Sequence, residues 1–282
     1  MATPGLSALL WLGTFPSAEM TILGLLTAFA GYTAVYALND VTDYRVDREK
    51  IRSNTLPETN RDLDSAFVRH PLARGMLTYG EGVFWMLAWA ALAIVGAYLL
   101  NPFCTIIFLL ACLLEYIYCS LLKITHLRGM ISGLVKTSGP IAAVFAVDPD
   151  PEPLFLVILF LWLFFWEIGG QNVPNDWSDL KEDESLKAKT IPVYFGPERS
   201  TWVIMISLSI AMAMSLFIVW VAPGRPGLAY LAGAFISGLY FLVLPALRLL
   251  KSKDSRESCN LFNRASYYPS AMLLVTVISW LF

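Results

Sequence analysis

The chain has 282 residues, of which 57% are hydrophobic and 15% are charged, and its formal net charge is −2 at pH 7. Soluble domains carry roughly 25% charged residues. This composition, with a mean hydropathy of +0.60, therefore excludes an ordinary soluble domain and indicates a membrane protein. Membrane lipids are the expected surroundings, and no nucleic acid partner is expected.

The apolar segments of the chain predict its architecture. Residues 5–16 are apolar but too short to cross a bilayer alone, because a crossing helix needs about 20 residues. Eight longer runs approach that length, at 19–38, 82–100, 103–122, 129–147, 153–172, 200–221, 227–247 and 265–282. We therefore predict an all-α bundle of eight transmembrane spans and a short N-terminal helix, forming a single domain.

The basic residues predict the orientation of these spans. Eighteen of the 20 lysines and arginines fall in alternate loops, at 44–80, 123–128, 173–199 and 248–264. The loops on the other side hold Arg225 alone, and Lys136 lies inside a span. The positive-inside rule places the four basic loops in the cytoplasm.

Two nine-residue stretches carry the same acidic pattern at the cytoplasmic ends of the first and fifth spans. They read NDVTDYRVD at 39–47 and NDWSDLKED at 175–183. The aspartates of each stretch are spaced i, i+3, i+7, which places them on one face of a helix. The shared residues are Asn39, Asp40, Asp43 and Asp47 in the first stretch and Asn175, Asp176, Asp179 and Asp183 in the second.

Three carboxylates on one face repel each other unless a cation neutralises them. Oxygen ligands without Cys or His suit Mg²⁺, which shares its coordination with substrate phosphates. Two such faces opposite each other would leave room for a diphosphate and its metal ions. The repeat also suggests two pseudo-symmetric halves, about 1–147 and 148–282. The alternative is that the acids are solvated charges at the level of the lipid headgroups.

The two stretches resemble the NDxxDxxxD and DxxDxxxD motifs of the UbiA superfamily of intramembrane prenyltransferases. HPLARGMLT at 70–78 is similar to the RPLxxG stretch that follows the first motif, and KAKTIPVYFG at 187–196 to the KTLPVxxG stretch that follows the second. The resemblance extends over about residues 18–200. It implies a nine-helix bundle around a central cavity, in which Mg²⁺ held by both motifs grips an isoprenyl diphosphate. A hydrophobic acceptor then attacks C1 of the prenyl chain.

The chain departs from the family pattern at two places. The family usually has nine spans, so either the first helix is truncated or residues 5–16 are its remnant. An acceptor-site basic residue often carried there is then expected to be missing. The arginine that the family places before the proline is His70 here, and Arg69 or Arg74 is expected to take over its phosphate contact.

The resemblance also suggests which side chains assist the departure of the diphosphate. Lys189, Lys123, Arg69 and Arg74 are the candidate cations, although each is also explained as an ordinary cytoplasmic anchor. Aromatic residues could stabilise a prenyl cation or simply pack in the core, and the candidates are Tyr118, Trp162, Phe165 and Trp166. Loops 44–80 and 173–199 are expected to cap the site, with a short helix near 61–68 that closes as a lid or belongs to a disordered linker.

Three ionisable residues, Glu115, Lys136 and Glu167, fall inside predicted spans near their cytoplasmic ends. Charges at that depth are unfavourable unless they are paired or face a polar cavity. We predict that Lys136 pairs with one of the glutamates and that the group borders the acceptor pocket. A structural ion pair between helices is the alternative.

The leading functional hypothesis is Mg²⁺-dependent prenyl transfer to a lipid-soluble, usually aromatic, acceptor. Phosphoribosyl transfer to a polyprenyl phosphate and acceptor-free terpene cyclisation would use the same acidic motifs and stay open. A cation-coupled transporter would place its carboxylates nearer the midplane of the membrane. A CDP-alcohol phosphotransferase would need DG and AR steps that NDVTDYRVD lacks. A membrane scaffold would not need the aspartates.

Overall fold

A computed structural model describes residues 2–52 and 70–281 of the chain. It is 83% helical, and the described residues contain no strand. The α-helices are α1 (Ala2–Leu12), α2 (Ala18–Arg52), α3 (Tyr79–Leu100), α4 (Pro102–Ser120), α5 (Arg128–Val147), α6 (Pro153–Trp166), α7 (Val173–Ser178), α8 (Leu180–Ser185), α9 (Ile191–Phe217), α10 (Leu228–Gly238), α11 (Leu244–Ser252) and α12 (Ser255–Ser279). Two π-helical segments, Glu167–Asn172 and Leu239–Val243, join α6 to α7 and α10 to α11.

Seven helical segments of the described chain are long and apolar enough to cross a membrane. They correspond to the first seven predicted spans, and the predicted all-α class is confirmed. The eighth predicted span, 265–282, falls mostly in α12, which is 25 residues long but is not among the seven. The first turns of α12 read SRESCNLFNR and are too polar for a uniformly apolar span.

The first helix is too short to cross a bilayer, as predicted, and it is buried by its neighbours. At about 1.5 Å per residue its 11 residues reach only about 16 Å. Leu6, Leu10 and Trp11 are buried, and the helix packs against α5 and α12. Because α12 comes from the other end of the sequence, α1 links the two predicted halves of the chain. Their pseudo-symmetry stays a prediction.

The turn between α3 and α4 shows how single polar residues end and start these helices. Asn101 lies between them in an extended conformation, and its side-chain oxygen accepts a hydrogen bond from the Phe103 N–H at 2.9 Å. Pro102 then occupies the first turn of α4, where no N–H is needed. The Asn101 amide also donates to the Phe145 carbonyl at 2.8 Å, which fixes the turn against α5.

The described parts of the four basic loops lie at one end of the bundle. Three ion pairs connect these loops. The first joins α2 to α8, the second joins α2 to the α4–α5 turn, and the third joins α9 to the α11–α12 turn. The pairs are Lys50 with Glu182 at 3.1 Å, Lys123 with Glu49 at 3.4 Å and Lys253 with Glu198 at 3.4 Å. The alternation of loops predicted from the sequence therefore matches the arrangement of the helices.

The predicted cap at 173–199 is mostly helical rather than a loop. It consists of α7, α8 and the start of α9, which is broken at Gly196, where φ is 78° and glycine is the favoured residue. The predicted short helix near 61–68, and with it the lid, lies outside the described residues.

Candidate functional site

The first acidic stretch lies near the end of one unbroken helix, as predicted. Asp40, Asp43 and Asp47 belong to α2 and project from one face over two turns. Asp47 is buried, with 3% of its surface exposed, whereas the other two are half-buried. A buried carboxylate requires a cation or several donors nearby. This end of α2 must therefore face other charged groups.

The second acidic stretch is not one continuous helical face, and the prediction was wrong on this point. The short helices α7 and α8 meet at Asp179, whose φ of −98° and ψ of 15° are not helical. Asp176 and Asp183 are buried on either side of this break, and Asp179 is half-buried. Burial raises the pKa of Asp183, although a hydrogen bond from the Thr190 hydroxyl at 3.0 Å opposes the increase.

The π-helical segment before α7 sets the position of the second stretch. A π turn is wider than an α turn and often marks a functional site. Gly169 in this segment lies so close to α9 that a Cβ would be 2.8 Å from the Cβ of Ser207. Only glycine allows this approach. The segment ends at Asn172, whose amide lies 3.4 Å from the Tyr118 hydroxyl on α4 and donates to it.

Lys50 connects the two acidic stretches directly. Its ammonium lies 3.6 Å from Asp47 on α2 and 3.1 Å from Glu182 between Asp179 and Asp183. Neither Lys50 nor Glu182 was predicted as a site residue. The spacing of Lys50 three residues after Asp47 was a usable signal, because it places both on one helical face.

Arg128 is a second cation of the site that the sequence did not reveal, and it is buried. It is 6% exposed, and its guanidinium lies 4.0 Å above the Tyr118 ring and 4.0 Å from the Asp176 carboxylate. Within the described part of the chain, its Nε atom has no hydrogen-bond partner. The sequence suggested only a loop anchor here, because a buried and an exposed arginine at the start of a span look alike.

His70 lies against the first acidic stretch. Its Nδ1 atom is 2.8 Å from an oxygen of Asp47 and 3.7 Å from an oxygen of Asp40. Burial lowers the pKa of His70, but the two carboxylates more than offset this effect and raise the pKa to about 9. Nδ1 and one oxygen from each carboxylate lie within 4.8 Å of one another, which is close enough for them to share a metal ion.

The three ionisable residues inside the spans form a polar layer below the acidic stretches. Glu115 accepts a hydrogen bond from the Asn39 amide at 2.8 Å. Glu167 accepts one from Ser132 at 2.9 Å, and both glutamates are buried. Lys136 donates to the Tyr36 hydroxyl at 3.0 Å. The predicted pairing of Lys136 with a glutamate stays a prediction.

The other predicted cations lie at the rim of the site. Lys189 and Arg74 are exposed. Lys189 is tied to the α4–α5 turn by its backbone N–H, which donates to the Leu122 carbonyl at 2.8 Å. Lys123 is exposed and paired with Glu49. Arg69 lies outside the described residues.

The predicted aromatic residues are used mainly for packing. Trp162 is fully buried, and its ring centroid lies 6.3 Å from that of Tyr268. Trp166 donates to the Ala265 carbonyl at 3.0 Å, and Phe165 packs on Phe164. Among these residues Tyr118 alone touches the charged groups of the site in the contacts described, and the cation over its ring is Arg128.

An apolar cavity of about 380 Å³ extends away from the acidic stretches between α1, α2, α3, α4, α5 and α12. Along α2 its lining runs from Met20 to Tyr36, which corresponds to about 24 Å of helix. Tyr36 and Lys136 line the cavity, and Asp40 follows Tyr36 by one helical turn. The cavity therefore reaches the polar layer at Tyr36 and Lys136, one helical turn of α2 before the first acidic stretch.

The acidic end also contains buried oxygen atoms that lack partners. The side-chain oxygens of Asn172 and Asn175 have none within the described residues. Unpaired buried acceptors are rare in proteins and call for a ligand, ion or water. Carboxylates, amide oxygens, the half-buried Lys50 and the buried Arg128 lie at the same end of the bundle, beyond the Tyr36 end of an apolar cavity. This combination suits an amphiphilic ligand with a phosphorylated head, a metal ion and a hydrocarbon tail.

Comparison with known proteins finds enzymes that this chain resembles over most of its length. A digeranylgeranylglyceryl phosphate synthase from Methanobrevibacter smithii is 27% identical over 270 residues, covering 92% of this chain and 85% of that protein. A protoheme IX farnesyltransferase from Teredinibacter turnerae is 29% identical over 237 residues, covering 80% of this chain and 72% of that protein.

The fold and the family agree. A solved structure of a UbiA homologue from Archaeoglobus fulgidus, bound to DMAPP and Mg²⁺, matches with a TM-score of 0.68 at 16% identity, covering 98% of this chain and 94% of that one. This match shows a shared fold. The model of the UbiA prenyltransferase family matches residues 1–267. This chain therefore belongs to the UbiA prenyltransferase family and is an integral membrane protein with a transferase fold.

Proposed function

We propose that this chain transfers a prenyl group from an isoprenyl diphosphate to a lipid-soluble acceptor within the membrane. The C1–oxygen bond of the donor breaks, C1 bonds to the acceptor, the acceptor loses a proton, and diphosphate leaves. The observation that carries the proposal is that Lys50 links two acidic stretches, and that an apolar cavity along α2 ends at Tyr36, one helical turn before Asp40. The relative bound to DMAPP and Mg²⁺ supports the donor class.

The residues present fit Mg²⁺. Carboxylate and amide oxygens are its preferred protein ligands. The Asn175 oxygen, which has no partner among the described residues, adjoins the aspartates of its own stretch. Asp40, Asp43 and Asp47 would hold the ion from α2, and Asp176, Asp179 and Asp183 from the opposite side. When bound, Mg²⁺ would neutralise the diphosphate and favour its departure.

The protein's own groups do the remaining work. Arg128 is aimed at the acidic end and would stabilise charge on the leaving diphosphate. Lys50 holds the two stretches together. The apolar lining of the cavity would exclude water from the prenyl cation. Glu167, buried beside Ser132, is the group that we propose to accept the proton that the second substrate loses.

The decisive experiment combines the purified chain with Mg²⁺, prenyl diphosphates of several lengths and a panel of acceptors. The panel contains a phenol, a prenylated glyceryl phosphate, protohaem, and a polyprenyl phosphate with phosphoribosyl diphosphate. Diphosphate release and product mass are followed together. Acceptor-dependent prenylated product is expected. A cyclised hydrocarbon without acceptor, or a phosphoribosylated lipid, would replace the proposal with one of the two alternatives.

The acidic end is proposed to face the cytoplasm, because the basic loops gather there. Cysteine introduced for Lys187 is expected to react with a membrane-impermeant maleimide in inverted vesicles and not in intact cells. Cysteine introduced for Arg225, at the other end, is expected to show the opposite pattern. Reaction of both from the same side would contradict the topology.

The cavity predicts a limit on donor length. Gly24 lines the cavity with open space around its Cβ position, and it lies about 22 Å of helix from Asn39. Gly24→Phe should fill the far part of the cavity and lower turnover of long donors by about tenfold, without affecting DMAPP. Product lengths measured by mass spectrometry test this. Gly80→Phe is the control, since Gly80 is exposed and has similar open space.

Glu115 is expected to position Asn39 rather than to react. Its carboxylate accepts a hydrogen bond from the Asn39 amide nitrogen, which turns the amide oxygen away from Glu115. Glu115→Leu should raise the Mg²⁺ concentration for half-maximal rate by about tenfold or more. Glu115→Gln retains an acceptor oxygen and should stay within about threefold of the parent. Equal loss in both variants would show instead that the negative charge itself is required.

A further inference from the structure

We propose that Asp40, Asp47 and His70 form a divalent metal site that favours transition metals such as Mn²⁺ and Co²⁺ over Mg²⁺. The inference concerns the metal at the first acidic stretch of the proposed prenyltransferase. It is tested by metal binding, so its failure is distinct from failure of the proposed reaction.

The chain holds these three side chains firmly. Asp40 and Asp47 are separated by two turns of one helix, so their carboxylates lie on the same face of α2. His70 opens a turn whose backbone is closed by the Arg74 N–H donating to the His70 carbonyl at 3.0 Å. Leu72 in that turn is buried and packs directly over Gly82 of α3. The turn therefore anchors the imidazole to α3.

The distances suit metal coordination. In an octahedral complex with bonds of about 2.1 Å, neighbouring ligand atoms lie about 3.0 Å apart. The Nδ1 atom of His70 is 2.8 Å from Asp47 and 3.7 Å from Asp40. Nδ1 is nevertheless buried without a hydrogen bond of good geometry to any described residue. A nitrogen in close contact with two carboxylates, but poorly aligned for a hydrogen bond to either, is placed as a shared ligand would be.

The two carboxylate oxygens of Asp47 contact different residues. Oδ1 faces the Lys50 ammonium at 3.6 Å, and Oδ2 faces His70 at 2.8 Å. A metal ion can therefore use Oδ2 while Lys50 keeps its contact with Oδ1 and with Glu182. The site would take one oxygen from each carboxylate and one imidazole nitrogen.

The imidazole decides the preference among metals. Mg²⁺ strongly prefers oxygen ligands, whereas imidazole binds transition metals, with affinity rising from Mn²⁺ to Co²⁺. The competing explanation is that His70 is a permanent cation that neutralises the two aspartates. In that case metal binding would not depend on its nitrogen.

The test uses the full-length protein, freed of metal with a chelator, in detergent. Mn²⁺ binding is followed by loss of the free-ion electron paramagnetic resonance signal, and Mg²⁺ by competition. Mn²⁺ is expected to bind at least about tenfold more tightly than Mg²⁺. His70→Ala should lower the affinity for Mn²⁺ by about tenfold or more and the affinity for Mg²⁺ by less than about threefold.

The chain offers a matched control, because it has two histidines. His126 also lies at the acidic end but is stacked on Tyr194, with ring centroids 4.4 Å apart. His126→Ala should leave Mn²⁺ affinity unchanged. Bound Mn²⁺ in the parent protein should show a nitrogen coupling in pulsed resonance spectra that is lost in His70→Gln.

Two outcomes would overturn the inference. One is the absence of nitrogen coupling in the parent protein. The other is unchanged Mn²⁺ affinity in His70→Gln. Since the coupling is measured on the unaltered chain, instability of a variant does not prevent a decision.

Discussion

Replacing Arg128 with glutamine is expected to reduce prenyl transfer by about 100-fold or more. The guanidinium is 6% exposed, stacks 4.0 Å from the Tyr118 ring and lies 4.0 Å from Asp176, with its Nε unpaired among the described residues. A cation held in this way is ready to stabilise charge on a leaving diphosphate, and loss of one such group typically lowers the rate by about 10²–10³-fold.

Arg128→Lys separates charge from geometry. Lysine keeps the positive charge but lacks the planar fork that stacks on Tyr118, so an intermediate loss of about tenfold is expected. The rate is measured as diphosphate release with saturating donor. Binding of inorganic pyrophosphate in Mg²⁺ gives a second readout that does not require turnover.

The control for Arg128 is Arg199→Gln, because Arg199 lies near the same end of the bundle but is exposed. That variant should retain full activity. A purely structural role for Arg128, as counter-ion to Asp176, would lower thermal stability while leaving pyrophosphate affinity unchanged. This result would remove Arg128 from the mechanism.

Asp47→Asn is the second substitution with a large expected effect. Asp47 is the most buried aspartate of the first stretch, and it contacts both Lys50 and His70. Asparagine has the same shape as aspartate but no charge. The substitution therefore lowers the affinity for the divalent cation and removes one of the carboxylates that pair with Lys50. Metal ions supply several kcal/mol of transition-state stabilisation. We expect a loss of at least about 100-fold in turnover, at about 1.4 kcal/mol per tenfold change.

Glu49→Gln is the matched control for Asp47→Asn. Glu49 lies two residues away on the same helix, but its side chain is 60% exposed and pairs with Lys123 at the surface. Surface ion pairs contribute little, so activity should stay within about twofold. Rates are measured over a range of Mg²⁺ concentrations. The concentration for half-maximal rate should rise in Asp47→Asn and stay unchanged in Glu49→Gln. Equal activity of the two variants would contradict a metal-binding role for Asp47.

The repeated acidic stretches were predictable because aspartate spacing, apolar runs and basic loops are local properties. The first stretch kept its predicted geometry, since α2 continues unbroken past Asp47. The second did not, because the wide π segment at Glu167–Asn172 and the break at Asp179 depend on how α6 packs against α9. No spacing rule within 175–183 contains that contact.

The cations of the site also show the difference between what the sequence predicted and what tertiary packing decided. Lys189 and Lys123 were selected from motifs, yet both are exposed at the rim. The cations that contact the acidic stretches from inside are the half-buried Lys50 and the buried Arg128. In the sequence all four look like cytoplasmic anchors, because burial of a lysine or arginine depends on which carboxylates the neighbouring helices bring to it.

By itself, the sequence determined a membrane-spanning helical bundle with two aspartate clusters at the same end, because hydropathy and charge are summed along the chain. The tertiary structure alone decided which charged groups meet. Lys50 reaches Asp47 and Glu182, Arg128 lies between Tyr118 and Asp176, and His70 joins the first cluster. Apart from Lys50–Asp47, which lies within α2, each of these contacts joins residues from different helices or turns. Their energies depend on distance and burial in three dimensions, which one-dimensional spacing does not contain.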